Sequence, residues 1–373
     1  MKYKIDFINS SYRRDYAQIR PQVLKAIDKC YSEGQFVLRS EVEKFEKNLA
    51  KFTGAKHAIG VNSGTDALKI AYKALGIKPG DEVITVSHVF IAPIQEIVHH
   101  GGVPILIDIG EDGLMDVDLI EKAITKKTVG IVPVHLSGKV CRMDKIMRIA
   151  KKHKLWVVED ACQALGPTYN GKKAGAIGDI GCFSHIAPKT LGVGGDAGSI
   201  ITNDPRLAYK CQLLRNHWNV TQGALHGCQP KAPEIIGYGY NSRLDNIHAA
   251  VLNIKIKRYP KKLERRKKIG QMYNKGLPSD VLKPIQYEGQ IYQEYIIQIP
   301  NMWEFKAFMD KKGVELLIRD TTPNHKVKGL GLSFNLPITD KHATSSVRLP
   351  TYPELTDKEV KTIISAIHEF YQE

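Results

Sequence analysis

The sequence predicts an α/β protein with a large, mostly parallel sheet covered by helices on both faces, followed by a smaller α+β unit. Three observations carry this. From His57 to about Asp204, short apolar runs of strand length alternate with amphipathic stretches of helix length, the pattern of βα units that build a parallel sheet. The chain has 373 residues, 43% hydrophobic and 25% charged, which is ordinary for a globular protein and long enough for two domains with a large core. After Asp204 the alternation gives way to long basic helices and a few strands, so we expect a large domain over 1–250 and a smaller one over 251–373.

Taken in order, residues 12–30 predict a helix because Ile19, Val23, Leu24, Ile27 and Cys30 share one face at 3.6-residue periodicity. A second helix over 41–52 carries the stripe Val42, Phe45, Leu49 and Phe52. Residues 57–61 predict a strand and 62–66 a turn into a helix with Ala67, Leu68, Ala71, Ala74 and Leu75 on one side, ending at Gly76. Strands over 83–86, 103–109 and 129–134 then alternate with helices over 91–99, 117–124 and 143–153. The apolar run Leu155 to Val158 is the central strand, and 181–186 another. Residues 218–238, rich in Gly, Pro, Gln and His, predict an irregular stretch long enough to act as a lid. A helix over 245–258 is expected to break at Pro260 before a further basic helix reaches about Leu277. Strands over 292–299 and 313–318 and helices over 302–312 and 357–371 complete the smaller unit.

Composition excludes several classes. The net charge of +15 raises nucleic acid as a partner, but the basic residues are dispersed. The densest group, Lys255 to Lys268, has apolar residues interleaved as on a solvated helix face, and no nucleic-acid-binding signature accompanies it. No nucleic-acid partner is expected; a positive field suits an anionic small molecule such as a nucleoside diphosphate equally well. Six cysteines at 30, 141, 162, 182, 211 and 228 form no C-x-x-C pair, so no metal is expected and the thiols read as reduced. The charged start Met1-Lys2-Tyr3-Lys4 does not resemble a secretion signal, and no stretch approaches the roughly 18 apolar residues of a membrane span. The expectation is a cytoplasmic protein without membrane insertion. Neither a G-x-G-x-x-G nor a Walker lysine motif occurs.

The chemistry gathers at strand ends. Glu159-Asp160 close the central strand, and Lys189 follows 29 residues after Asp160 (189 − 160) in a loop with Pro188 and Gly192. Ligands of open α/β sheets bind at the carboxyl ends of the strands. A carboxylate and an amine there suit pyridoxal 5'-phosphate (PLP): the amine can bond the cofactor aldehyde, and the acid can keep its ring nitrogen protonated. The plainer reading is a helix-capping Asp and a solvated Lys. Ser63, Gly64 and Thr65 at a strand-to-helix turn make an anion site for a phosphate. Ser63 with Asp66 three residues on resembles a capping box, and taken by itself the stretch reads first as an ordinary helix cap.

Seven motifs occur in order: Gly34-x-Phe36-x-Leu38 with Phe45-Glu46; Ser63-Gly64-Thr65-Asp66-Ala67-Leu68; Pro79-Gly80-Asp81-Glu82-Val83-Ile84; Pro133-Val134-His135-Leu136; Glu159-Asp160-Ala161-x-Gln163; Lys189 with Gly195-Asp196-x-Gly198; and Asn241-Ser242-Arg243-Leu244-Asp245. The ordered set, covering nearly the whole chain, resembles the DegT/DnrJ/EryC1/StrS family of PLP-dependent sugar aminotransferases. That resemblance implies the aspartate aminotransferase type of fold (fold type I) and a homodimer with shared active sites. It implies that Lys189 bonds the cofactor, Asp160 pairs with its ring nitrogen and Gln163 lies beside the ring. Phe90 would stack on the ring, and Ser63, Gly64, Thr65 and Ser184 would hold the phosphate with Asn241 of the neighbouring subunit. The substrates implied are an amino-acid donor, normally L-glutamate, and a keto sugar on a nucleoside diphosphate, aminated at C-3 or C-4. Lys189 itself argues for transamination, because a dehydrating branch of the family places His there.

The chain departs from the family in three places. It reads Phe183-Ser184-His185-Ile186-Ala187 where relatives commonly have Phe-Ser-Phe-x-Pro. The tract Arg319 to His325 lacks an aromatic-rich stretch near the acceptor site, and Arg39 stands where glycine is frequent. These departures bear on the acceptor, so a cyclitol ketone or other non-nucleotide acceptor stands as an alternative. A non-catalytic regulatory module of the same fold is a further one, but it could dispense with Lys189 or Asp160, and both are present. Cys162 and Cys182 read as small apolar fillers; His88 and His185 read equally well as structural groups or proton carriers.

Overall fold

The computed structural model describes residues 3–220 and 235–372. The chain begins with helices α1 (Asn9–Ser32) and α2 (Ser40–Thr53) and then enters the sheet-forming region. Its elements are β1 (His57–Val61), α3 (Gly64–Leu75), β2 (Glu82–Val86), α4 (Ala92–His99), β3 (Val103–Ile107), α5 (Ile120–Ala123), β4 (Thr128–Ile131), α6 (Met143–His153) and β5 (Trp156–Asp160). A two-residue hairpin, β6 (Thr168–Tyr169) with β7 (Lys172–Lys173), precedes β8 (Ile180–Ser184), β9 (Gly198–Thr202) and α7 (Pro205–Leu214). The remainder comprises α8 (Asn246–Gly276), β10 (Tyr295–Gln298), α9 (Met302–Lys311), α10 (Pro337–Ala343), β11 (Ser346–Leu349) and α11 (Asp357–Phe370).

Seven strands form one sheet in the order β1-β9-β8-β5-β4-β2-β3. Every pair from β8 across to β3 is parallel, and β9 alone runs against its neighbours β8 and β1. The expected mostly parallel sheet is therefore present. Its strands are apolar on both faces because both faces are covered. Val157 joins the core on one side with Ile84, Ile131 and Ile201, while Val158 joins the other with Val83, Val132 and Ile200. Adjacent residues of a strand point to opposite faces, so each strand supplies both cores. The topology also brings the ends of β1, β2, β4, β5 and β8 and the start of β9 to one edge.

Several local outcomes differ from expectation. Residues 246–276 form one helix, α8, of 31 residues with Pro260 inside it, and no break. Leu252, Ile256, Tyr259 and Leu263 are buried on either side of the proline. At about 1.5–3 kcal/mol each, they outweigh the roughly 3 kcal/mol that an interior proline costs. The helix passes through the division expected at 250/251: Ala249 to Leu263 pack on the sheet core, Ile269 and Tyr273 in a second core with Phe305, Val347 and Val360. Residues 313–318 are not a strand. They make isolated bridges from Val314 to Ile5 and from Leu317 to Arg348. The partner of β10 is β11, a four-residue strand followed by Pro350 that the sequence pattern did not single out. Residues 117–124 form a 3₁₀ turn over Val117–Leu119 and the short α5, not one helix. Most of the stretch expected as a lid, 221–234, lies outside the described residues, as does Cys228.

Candidate active site

The central acid is positioned by its neighbour. Glu159 is fully buried and accepts four hydrogen bonds: from His135 Nε2 (2.8 Å) and from the N–H groups of Gly175 (2.8 Å), Ile177 (2.7 Å) and Gly178 (2.6 Å). The Cys141 N–H donates to His135 Nδ1 (3.2 Å), so the imidazole proton sits on Nε2, facing Glu159. This network fixes the end of β5, and Asp160 is fixed in turn. Its N–H donates to Pro133 O (3.0 Å), its C=O accepts from His135 N–H (2.9 Å), and its Oδ1 accepts from Cys162 N–H (3.1 Å). The Asp160 side chain thus stands at the carboxyl edge of the sheet, 6% exposed.

Lys189 lies in the loop between β8 and β9, its N–H donating to Ile186 O (2.9 Å). The loop is tied to both units. Thr190 Oγ1 bonds Tyr259, the Thr190 N–H donates to Gln293 Oε1 (3.2 Å), and Lys255 Nζ donates to Gly192 O (2.8 Å). Lys189 lines a cavity of about 380 Å³ together with Phe90, Gln163, Glu294, Arg319 and Arg348. Gln163 is held by the Ser137 N–H, which donates to its Oε1 (3.0 Å). Phe90 is 69% exposed at this cavity, an open aromatic face.

The turn from β1 into α3 has the makings of a phosphate cradle. Ser63 caps α3, its Oγ accepting from Asp66 N–H (3.1 Å), so the ordinary capping role is present. Gly64 is required by crowding: a Cβ there would lie 2.7 Å from Ser184 Cβ and 2.9 Å from Cys162 Sγ. A Cβ on Gly198 would lie 2.2 Å from Ser63 O. Gly64, Thr65 and Ser184 are thereby drawn together at a helix N-terminus, where free N–H groups and the helix dipole favour an anion. Ser242 bonds the same turn, donating to Asp66 Oδ2 (2.8 Å) and accepting from Asn62 N–H (3.2 Å). Its neighbour Asn241 is exposed. These residues fit PLP: an anion cradle, an open aromatic face, a buried acid and a lysine converge on one sheet edge.

The histidines and cysteines separate into roles. His185 is fully buried, donating from Nδ1 to Leu191 O (3.0 Å) and accepting at Nε2 from Ser199 (2.8 Å), edge-on to Phe45. Burial lowers it to about 4, so it is a neutral structural group. His88 lines the cavity, and burial followed by the nearby Arg348 lowers it to about 4. Cys162 and Cys182 have thiols pushed well up by burial, then by Asp160. They are fillers without thiolate character. His217 donates its N–H to Tyr240 O and lines no part of the cavity.

Sequence reading missed an ion-pair network across the cavity. Glu294 accepts from Arg348 Nε (3.1 Å) and from Arg319 Nη2, and Asp320 Oδ2 accepts from Arg348 Nη2 (2.9 Å). Burial pushes the Glu294 carboxyl up, but Arg348, Arg319 and Lys189 pull it below the usual range. The departure noted at Arg319 was the available signal; Glu294 directly precedes β10 and Arg348 lies within β11, with no motif around them.

The family model of the DegT/DnrJ/EryC1/StrS aminotransferase family matches residues 17–368, and the chain belongs to that family. It is a PLP-dependent aminotransferase. Among relatives, it is 36% identical over 368 residues to the pleiotropic regulatory protein of Geobacillus stearothermophilus, covering 96% of both chains. It is 33% identical over 361 residues to the UDP-N-acetyl-3-dehydro-alpha-D-glucosamine 3-aminotransferase of Acidithiobacillus ferrooxidans, covering 95% of each. Its fold matches the crystal structure of S. venezuelae DesV in complex with a ketimine intermediate, with a TM-score of 0.92, 31% identity and coverage of 100% of this chain and 99% of that one.

Proposed function

We propose that this protein transfers an amino group from an amino acid, L-glutamate, to a keto sugar carried on a nucleoside diphosphate, at C-3 or C-4 of a keto-deoxyhexose. The observation that carries this is that Lys189, Gln163 and Phe90 line one cavity, while Asp160 and the Gly64 cradle meet at Cys162, next to Gln163, at the carboxyl edge of the sheet. PLP supplies an electron sink for the bond broken at the donor α-carbon. Lys189 would hold the cofactor through its amine, and that amine, when free, would carry the proton to and from the reacting carbon. Asp160, held by Cys162 N–H and backed by the Glu159 network, keeps the ring nitrogen protonated. Gln163 and Phe90 orient the ring. Ser63, Gly64, Thr65 and Ser184 hold the phosphate with Asn241 of a second copy.

The exposed positions of Phe90 and Asn241 support a homodimer in which each copy covers the other's cofactor. Relatives that act on UDP- and dTDP-linked sugars support the acceptor class, and the positive net charge suits a diphosphate. Surface polysaccharide or natural-product sugars are the products we assign. Among the described residues no helix is long and apolar enough to cross a membrane, and the five described cysteines are free, which supports a cytoplasmic setting. Turnover with UDP- and dTDP-linked 3-keto and 4-keto hexoses, beside a cyclitol ketone, tests the reading. Amination of a nucleotide sugar is expected; turnover of the cyclitol alone would move the acceptor assignment.

A further inference from the structure

The network of Glu294, Arg319, Asp320 and Arg348 faces the same cavity as Lys189, yet the amino-transfer chemistry above uses none of its members. Its two carboxylates are unlike. Glu294 has a side chain only 8% exposed and bonds both guanidinium groups. Asp320 is 39% exposed, so it is the more open of the two, and it meets the same two groups with Oδ2 2.9 Å from Arg348 Nη2 and 3.1 Å from Arg319 Nε. That second contact is poor. Arg319 Nε is buried, and its N–H finds no acceptor in hydrogen-bond geometry. His88 Nε2, in the same wall, is likewise buried without a partner. Asp320 also holds a left-handed backbone at φ 60, a conformation that costs a non-glycine residue free energy.

We propose that Arg319 and Arg348 form the seat for a substrate carboxylate, and that Asp320 occupies this seat until the substrate displaces it. The inference rests on the aminotransferase reading for the identity of the substrates. Two guanidinium groups held by one buried carboxylate keep a net positive charge toward the cavity, and planar forks match a carboxylate with two parallel hydrogen bonds. An incoming carboxylate can satisfy Arg319 Nε, which Asp320 leaves unsatisfied. An internal occupant lowers apparent affinity by the fraction of time it fills the seat, so it selects for ligands that bring a carboxylate. Two substrates could bring one: the amino-acid donor, or an acceptor sugar oxidised to a uronate.

The test is calorimetric titration of the PLP-loaded protein with two non-reacting probes, glutarate for the donor and glucuronate for the acceptor. Asp320→Asn keeps a residue that tolerates the left-handed backbone and removes the competing charge. Arg319→Gln alters a side chain that is 39% exposed, and thermal melting confirms that both variants fold. Asp320→Asn should tighten one probe about threefold or more, and Arg319→Gln should weaken the same probe about tenfold. Glutarate responding assigns the seat to the donor; glucuronate responding assigns it to the acceptor. Neither probe responding, or glutaramide tightening as much as glutarate, overturns the proposal. Binding needs no turnover. Predicted binding without amino transfer would sink the functional reading and leave the seat, whereas transfer with unaltered binding would do the reverse.

Discussion

Glu159→Gln changes one atom of the site's foundation, and its cost can be worked from the hydrogen bonds. The carboxylate accepts at Oε1 from Ile177 and Gly178 and at Oε2 from His135 and Gly175. A glutamine offers one acceptor oxygen and one NH₂ group. Whichever way the amide turns, two of the four donors face another donor. His135 could relieve one clash by moving its proton to Nδ1, but that nitrogen accepts from Cys141 N–H (3.2 Å), so the conflict only relocates. Hydrogen bonds to charged groups are worth about 1.5–3 kcal/mol each; losing two predicts a destabilisation of about 3–6 kcal/mol. Urea unfolding reads this as a lower midpoint at unchanged slope. Because Asp160 is the next residue, the variant should also bind PLP more weakly. A loss below about 0.5 kcal/mol, within the range of ordinary surface substitutions, would refute the view that this network holds the strand end.

Other perturbations have equally definite outcomes. Asp160→Asn should melt like the wild type yet lose about 100- to 1,000-fold in turnover, as expected when one electrostatic partner of the reacting system is removed; near-normal turnover in steady-state assays would contradict its role. Gly64→Ala places a Cβ against Ser184 and Cys162, and an overpacking cost of about 1–3 kcal/mol should weaken PLP binding roughly tenfold in an absorbance titration. His185 accepts a proton near 6.5 when unfolded but only near 4 when folded. Stability from this group is complete above pH 6.5 and falls as pH drops from 6.5 toward 4, by about 1.4 kcal/mol per pH unit. His88 acts in the same direction. His185→Phe should reduce that slope in urea melts across the window.

Much of this was legible in the residues. Strands buried on both faces write themselves as continuous apolar runs, so 57–61 and 155–158 predict β1 and β5 closely, and Gly76 marks the end of α3. The acid and lysine were visible because strand-end carboxylates and glycine-flanked loops carry local signals. What stayed hidden depends on contacts distant in sequence. Pro260 reads as a helix breaker until Tyr259, whose hydroxyl donates to Leu165 O (2.6 Å), shows what holds the helix on both sides. Strand β11 is four residues long and takes its identity from pairing with β10. The Glu294–Arg348 pair joins residues 54 apart, and no periodicity announces a partnership across two strands. His185 was ambiguous for the same reason, since its two partners, Leu191 and Ser199, decide its role.

The central claim is that Lys189 bonds PLP and Asp160 tunes it for amino transfer. The most direct test is the absorption spectrum of the PLP-loaded protein before and after adding L-glutamate, for the wild type and Lys189→Ala. The account predicts a visible band that bleaches with glutamate in the wild type, and in Lys189→Ala the loss of both the lysine-bound band and its response. A wild-type spectrum indifferent to every amino donor, or a Lys189→Ala protein that responds like the wild type, would contradict it.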